Sequence, residues 1–218
     1  MSEVISVKEL INDTRDTVRA RLHLLDWAKH PDEVLKGIVR RYTAAVAINF
    51  TDWMGKTLPW VRHELARYAL ADNLRCETVE NHADMLLDFA CYCDATPDDD
   101  SYRFTNRQVQ EIRRLLSNPL MAGVVGLTVM TLLEAISQEF IPILEKIAIR
   151  LGASNSQLQY TQVHGMADVA HADNFTKALK AELTMGYGIE ANHDIREAKL
   201  AVERLLNSIF ISSPHAVR

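Results

Sequence analysis

The stretch HGMADVAHADNF, residues 164–175, sets His164, Asp168 and His171 at intervals of four and then three. On an α-helix these positions fall at about 0°, 40° and −20° around the axis, so the three side chains reach toward one point. Two imidazoles and a carboxylate converging in a close-packed segment point to a divalent cation, because a buried carboxylate needs a compensating charge. The flanking Gly165, Ala167, Val169, Ala170 and Ala172 are small or apolar, as expected of a helix packed tightly by its neighbours. One helix supplies only three ligands, so others must come from elsewhere. Glu134 is the next candidate, in GVVGLTVMTLLEAISQEF, the most apolar stretch of the chain. An unpaired carboxylate there is costly to bury. A further contribution is sought in NLRCETVENHADMLLDF, residues 73–89, which holds Glu77, Glu80 and His82. Glu77 and His82 lie about 140° apart on a continuous helix and would diverge. A helix break between them would let them converge, and spacing alone leaves Glu77 and Glu80 as competitors. Mixed imidazole and carboxylate ligation suits iron or manganese better than structural zinc. Three carboxylates with three histidines would suit two ions, although the Glu-x-x-His pairs of ferritin-like bundles are missing.

The elements that must position these residues read as helices throughout, with no convincing alternating strand. Ser6 with Glu9 forms a capping box opening a helix to about His30, before Pro31. A second helix is expected over 32–54, and a third opens at Pro59. HADMLLDFACYC makes a shorter helix closed by the polar loop DATPDDDS, and Thr105 with Gln108 suggests a capping box for the next. A long apolar helix follows Asn118-Pro119 to about Gly152, bent near Pro142. Ser154–Ser156 lead into the helix carrying His164, which ends at MGYG, and a last helix runs from about Ile189 to Phe210. Seven or eight helices with short joints predict one all-α bundle over residues 1–218.

Composition narrows the function classes. With 48% hydrophobic residues the chain supports a full core, and a net charge of −5 without a Lys/Arg cluster argues against nucleic acid. The apolar run near 120–136 contains Gly, Thr and Glu and is read as too short and interrupted for a membrane span. MSEVISVKEL is not a signal peptide, and Cys76, Cys91 and Cys93 read as reduced thiols. A cytoplasmic protein acting on a small-molecule substrate is expected.

Three stretches resemble the heme-oxygenase-like diiron oxidases and oxygenases, a branch of the heme-oxygenase/TenA-like all-α superfamily. His164, Asp168 and His171 match that family's His-x3-Asp-x2-His helix, and Glu134 in TLLEAISQEF matches the glutamate of its central helix. NLRCETVENHADMLLDF resembles the segment in which a glutamate follows an Asn-Leu pair and a histidine opens the next helix. The resemblance implies six ligands, Glu77, His82, Glu134, His164, Asp168 and His171, around two iron ions. Glu77 and His82 stand closer together than in some members, which keeps Glu80 in competition. The resemblance further implies dioxygen as co-substrate, a peroxo-diferric intermediate, a small metabolite such as an amino acid, amine or related acid as substrate, and a homodimer. A metal-free TenA-like hydrolase would need Cys76 as nucleophile, and a non-catalytic interaction protein would need none of the six. Phe175 reads as core, Glu182 as a salt-bridge partner, and His63 and Glu64 as surface residues. Tyr160 and Tyr187 are possible donors near the ends of the His164 helix.

Overall fold

The computed structural model describes residues 6–24, 27–188 and 190–210, without the side chains of Leu24, Ala28, Met166 and Ala167. Among these residues the chain forms nine α-helices and no strand: α1 (Val7–Leu24), α2 (Asp32–Val46), α3 (Asn49–Thr57), α4 (Glu64–Val79), α5 (His82–Tyr92), α6 (Asp99–Leu115), α7 (Ala122–Arg150), α8 (Gln159–Leu183) and α9 (Glu190–Phe210). The expected all-α bundle is present. Ile189, the expected start of the last helix, lies outside the described residues.

The middle of the bundle is α7. Every residue from Ala122 to Ser137 is buried, which is how a helix apolar on all sides must be placed. Its length and hydropathy reach those of a membrane span, contrary to the short, interrupted run expected. However, 89% of that window is buried inside the bundle, so its apolar surface serves the core. The helix continues through Pro142 without interruption. It packs most extensively against α8, and also against α1, α3 and α9. On the α3 side a Cβ at Gly126 would stand 1.9 Å from Thr57 Oγ1, so only glycine permits this approach.

Several expected boundaries move. The first helix, expected to about His30, ends at Leu24, and the helix expected to open at Pro59 opens at Glu64, because Pro59 lies in a separate 3-10 turn, Leu58–Trp60. The helix expected over 32–54 is two, α2 and α3, separated at Ala47–Ile48. The helix expected at Thr105 starts earlier, at Asp99, because Asp98 caps it by accepting from the Ser101 backbone N–H at 2.8 Å. Thr105 instead donates back to the Ser101 carbonyl at 3.1 Å, inside the helix. Ser6 does cap α1, its Oγ accepting from Glu9 N at 3.4 Å.

Candidate metal centre

Four helices bring the six sequence-predicted residues together: Glu77 near the end of α4, His82 at the start of α5, Glu134 in mid-α7, and His164, Asp168 and His171 along α8. Their ligand atoms form two groups, Glu77/His82/His164 and Glu134/Asp168/His171. Within each, the candidate atoms all lie within 4.8 Å of one another.

The Glu77–His82 convergence depends on the backbone. Between them Asn81 adopts the left-handed conformation, φ 57° and ψ 45°, which ends α4 and lets α5 start in a new direction. Asparagine tolerates that region better than most residues. Its Nδ2 donates to Asp84 Oδ2 at 2.6 Å in the first turn of α5. The break brings His82 Nδ1 to 3.0 Å from Glu77 Oε1. His164 Nε2 approaches the same oxygen at 4.0 Å from α8. In the second group His171 Nδ1 lies 3.8 Å from Glu134 Oε2.

Glu77 and Glu80 are placed differently around His82. Glu77 is buried inside the group, whereas the Glu80 side chain is 58% exposed and reaches the opposite nitrogen of His82, with Oε2 3.1 Å from Nε2. A carboxylate there accepts from Nε2–H and leaves Nδ1 as the nitrogen that faces Glu77. His164 is oriented in the same way, its Nδ1–H donating to the Tyr160 carbonyl at 2.8 Å and its Nε2 left toward the group. Asn73, one turn before Glu77 on α4, donates from Nδ2 to Glu134 Oε1 at 3.2 Å. Sequence reasoning passed over Asn73, although its i−4 spacing from Glu77 places both on one face.

The electrostatics are those of a site short of positive charge. Burial pushes the Glu134 carboxyl well up, reinforced by Asp168 and Glu77, with the Asn73 bond opposing. Burial likewise raises Asp168 to about 7, with Glu77 adding to it and Ser137 opposing. Burial lowers both His164 and His171, leaving imidazoles with free lone pairs. For His82 burial acts downward, but the two flanking glutamates outweigh it and its pKa is raised. His82 Nδ1 and His171 Nδ1 are buried and make no aligned hydrogen bond, despite the short contact of the former to Glu77. Orphaned buried nitrogens facing carboxylates fit cation ligands and fit a hydrogen-bonded core poorly.

A cavity adjoins the two groups. Five of the six residues line it, while His171 stands outside the lining. Its remaining wall is mostly apolar, from Val46 and Phe50, Leu86, Phe140, and Leu205 and Ile209, with hydroxyls from Tyr42, Ser137 and Tyr160.

The family of iron-containing redox enzymes matches this chain over residues 39–205. The chain belongs to that family. The match spans all six residues and the helices that carry them, so this iron-containing redox enzyme keeps its candidate ligands within the segment that defines its kin. In fold it is similar to the crystal structure of a TenA homolog from Pseudomonas syringae pv. tomato. The TM-score is 0.70 at 16% identity, covering 94% of this chain and 88% of that one. No curated protein is significantly similar to it in sequence.

The remaining candidates have structural places. Cys76, the nucleophile that a TenA-like hydrolase would need, is half-buried and stands outside the cavity lining. Phe175 is core, as expected. Glu182 is fully buried and makes no salt bridge among the described residues. It accepts from the backbone N–H groups of Arg62 and His63 at 2.9 and 2.8 Å and from the Tyr187 hydroxyl, fixing the strand of chain that leads into α4. His63 caps α4 through Nδ1, accepting from Leu65 N at 3.2 Å.

Proposed function

We propose that this enzyme is a non-heme diiron oxidase or oxygenase, with Glu77, His82 and His164 holding one iron and Glu134, Asp168 and His171 the other. The observation that carries the reading is the pair of three-residue groups meeting beside one cavity, with two imidazole nitrogens buried and unpaired. Two ferrous ions bound there would supply electrons and Lewis acidity for dioxygen chemistry.

The protein's own part can be derived from its residues. Glu80 and the Tyr160 carbonyl hold His82 and His164 in the tautomers that present a lone pair inward. Asn73 orients Glu134 through one oxygen and leaves the other toward His171. The apolar wall from α2, α5, α7 and α9 keeps the cavity poor in water, which protects reactive chemistry from side reactions. The same wall bears on the substrate. Among the described residues, no charged side chain outside the six candidate ligands lines the cavity, so a substrate ammonium would find no counter-ion among them away from the metal-binding end. Among the amino acids, amines and related acids expected from the sequence, this supports an acid or an uncharged molecule with an apolar body.

Anaerobic titration with ferrous iron, followed by oxygenated buffer, tests the assignment. Two irons per chain and oxygen consumption are expected. The variants His164→Ala and Glu134→Ala should each lower iron content while far-ultraviolet circular dichroism stays helical. Unchanged iron content in both variants would remove these residues from the site.

A further inference from the structure

Two phenols stand at the edge of the cavity and take no part in the ligand set. Tyr42 on α2 and Tyr160 on α8 place their hydroxyl oxygens 2.8 Å apart, and both residues line the cavity. They are 4% and 3% exposed. Each phenol carries one O–H hydrogen, and a bond between two hydroxyls uses only one of them. Among the described residues neither hydroxyl has another hydrogen-bond partner. One buried O–H hydrogen is therefore left without a protein acceptor, in a wall otherwise short of polar groups. The other hydroxyl of the lining, that of Ser137, already donates to the Glu134 carbonyl at 2.7 Å.

Leaving a buried donor unsatisfied is costly, whereas a phenylalanine at either position would avoid the problem. A phenol is protonated at neutral pH, with an ordinary pKa near 10, so the pair acts as a donor. Its position is fixed from both sides. The Tyr42 ring packs against Phe140 with centroids 5.6 Å apart, and the Tyr160 ring lies 4.1 Å from that of His164.

We propose that the Tyr42–Tyr160 pair is a ligand-recognition element, donating one hydrogen bond to a carbonyl-type oxygen of an otherwise apolar ligand in this cavity. The inference rests on reading the cavity as the reaction site, as proposed above, but does not require the metal assignment. The ligand's oxygen would stand beside His164, and its apolar body would lie against α2 and α9, where Val46, Phe50, Leu205 and Ile209 form the wall. A site built to donate to an oxygen rejects the analogue lacking it, because binding that analogue would leave the buried donor unpaired.

Acetophenone and ethylbenzene provide the test, since they match in size and differ by a carbonyl oxygen. Binding of each to the full chain is measured by calorimetry, with and without bound iron. The carbonyl stretch of bound acetophenone is recorded by infrared difference spectroscopy on the metal-free protein. Either single phenylalanine variant still leaves one O–H free to turn into the cavity, so the decisive variant is Tyr42→Phe with Tyr160→Phe. Replacing both partners by apolar groups of the same shape is close to neutral for folding. It also leaves the Tyr160 carbonyl to hold His164, so iron content should match the wild type.

The wild type is expected to prefer acetophenone by roughly tenfold, with a lowered carbonyl frequency. Both the preference and the frequency change should vanish in the double variant. Equal binding of the two probes, binding of neither, or a preference that survives in the double variant would overturn the proposal. A wild type that takes up no iron yet keeps the preference would refute the diiron reading and leave this one standing.

Discussion

The charge balance of the site makes a quantitative prediction for Asp168→Asn in the metal-free protein. In the folded chain Asp168 is raised from 3.8 to about 7, chiefly by burial. In the unfolded chain it titrates near 3.9. Between these values the native state holds a proton that the unfolded state has lost. The contribution of this group to stability is therefore fully present below about pH 4 and is lost as pH rises toward 7. The full difference corresponds to about 4 kcal/mol. That is a ceiling, because Glu134 shares the repulsion and the surroundings can relax. Asparagine keeps the shape and removes the ionisation. Metal-free Asp168→Asn should thus be more stable than the wild type at pH 8, by up to about 4 kcal/mol. The advantage should fade toward zero near pH 4. For a chain of 218 residues each kcal/mol moves the melting temperature by about 2–4 °C, so an upward shift approaching 10 °C is the scale to look for.

Thermal and urea unfolding in the presence of a chelator, from pH 4 to pH 8, measures this directly. Adding ferrous or manganous ion should reverse the order, because a ligand that binds only the native state stabilises the wild type, and the variant has lost a donor. If the chelated variant is no more stable than the wild type at pH 8, or if its advantage is independent of pH, then Asp168 is not a strained buried carboxylate. The electrostatic case for a cation at this position would fail with it.

Two further predictions concern the α4–α5 joint. Glu77→Gln should lose one iron per chain at saturation, whereas Glu80→Gln should keep both sites but weaken one by about 10–100-fold, as expected for an orienting partner. Stoichiometry from ferrous titration separates the two, and equal small effects would mean that neither glutamate has its assigned role. Asn81→Gly should retain iron binding, since glycine accepts the left-handed backbone. Asn81→Val, whose branched side chain disfavours that region, should weaken binding by roughly tenfold or more. Equal affinities would show that the break does not depend on the residue at the joint.

The parts of this site legible in the sequence are those that obey helical periodicity. His164, Asp168 and His171 share a face of one unbroken helix, so their convergence follows from 3.6 residues per turn. Glu134 is legible through the expense of a carboxylate in an apolar segment, and α7 is indeed buried on all sides around it. Glu77 and His82 are different, because a continuous helix would turn them apart. Their meeting depends on a single residue, Asn81, at positive φ, and one asparagine among the polar residues of this stretch carries no signal strong enough to announce a helix break. The choice between Glu77 and Glu80 was likewise beyond spacing, since it turns on which nitrogen of His82 each carboxylate faces. The start of α6 was misjudged for a related reason. Two serviceable caps, Asp98 and Thr105, stand seven residues apart, and the sequence does not say that Thr105 will be buried in mid-helix. Tyr42 was illegible altogether. Its partner lies 118 residues away, and nothing local marks it.

These local exceptions share a location. The carboxylates buried in α7 and α8, the orphaned nitrogen of His82 and the tyrosine pair with a spare hydrogen all border one cavity, and the joint at Asn81 directly precedes His82 in its lining. Elsewhere apolar faces turn inward and Asp98 and Ser6 cap their helices, and the exceptions there are scattered singly, as at Trp53, Gln108 and Glu203 and at the left-handed Asp94. A fold tolerates unsatisfied groups only where the surrounding structure holds them in place, and natural chains concentrate such violations at functional sites. Here the violations are complementary in kind. The carboxylates lack positive charge, the imidazoles lack an electrophile, and the tyrosine pair lacks an acceptor. A cation would satisfy the first two and an oxygen-bearing apolar ligand the third. On the function proposed above, the energetics of the cavity would be completed from outside the chain, by metal at one end and ligand at the other.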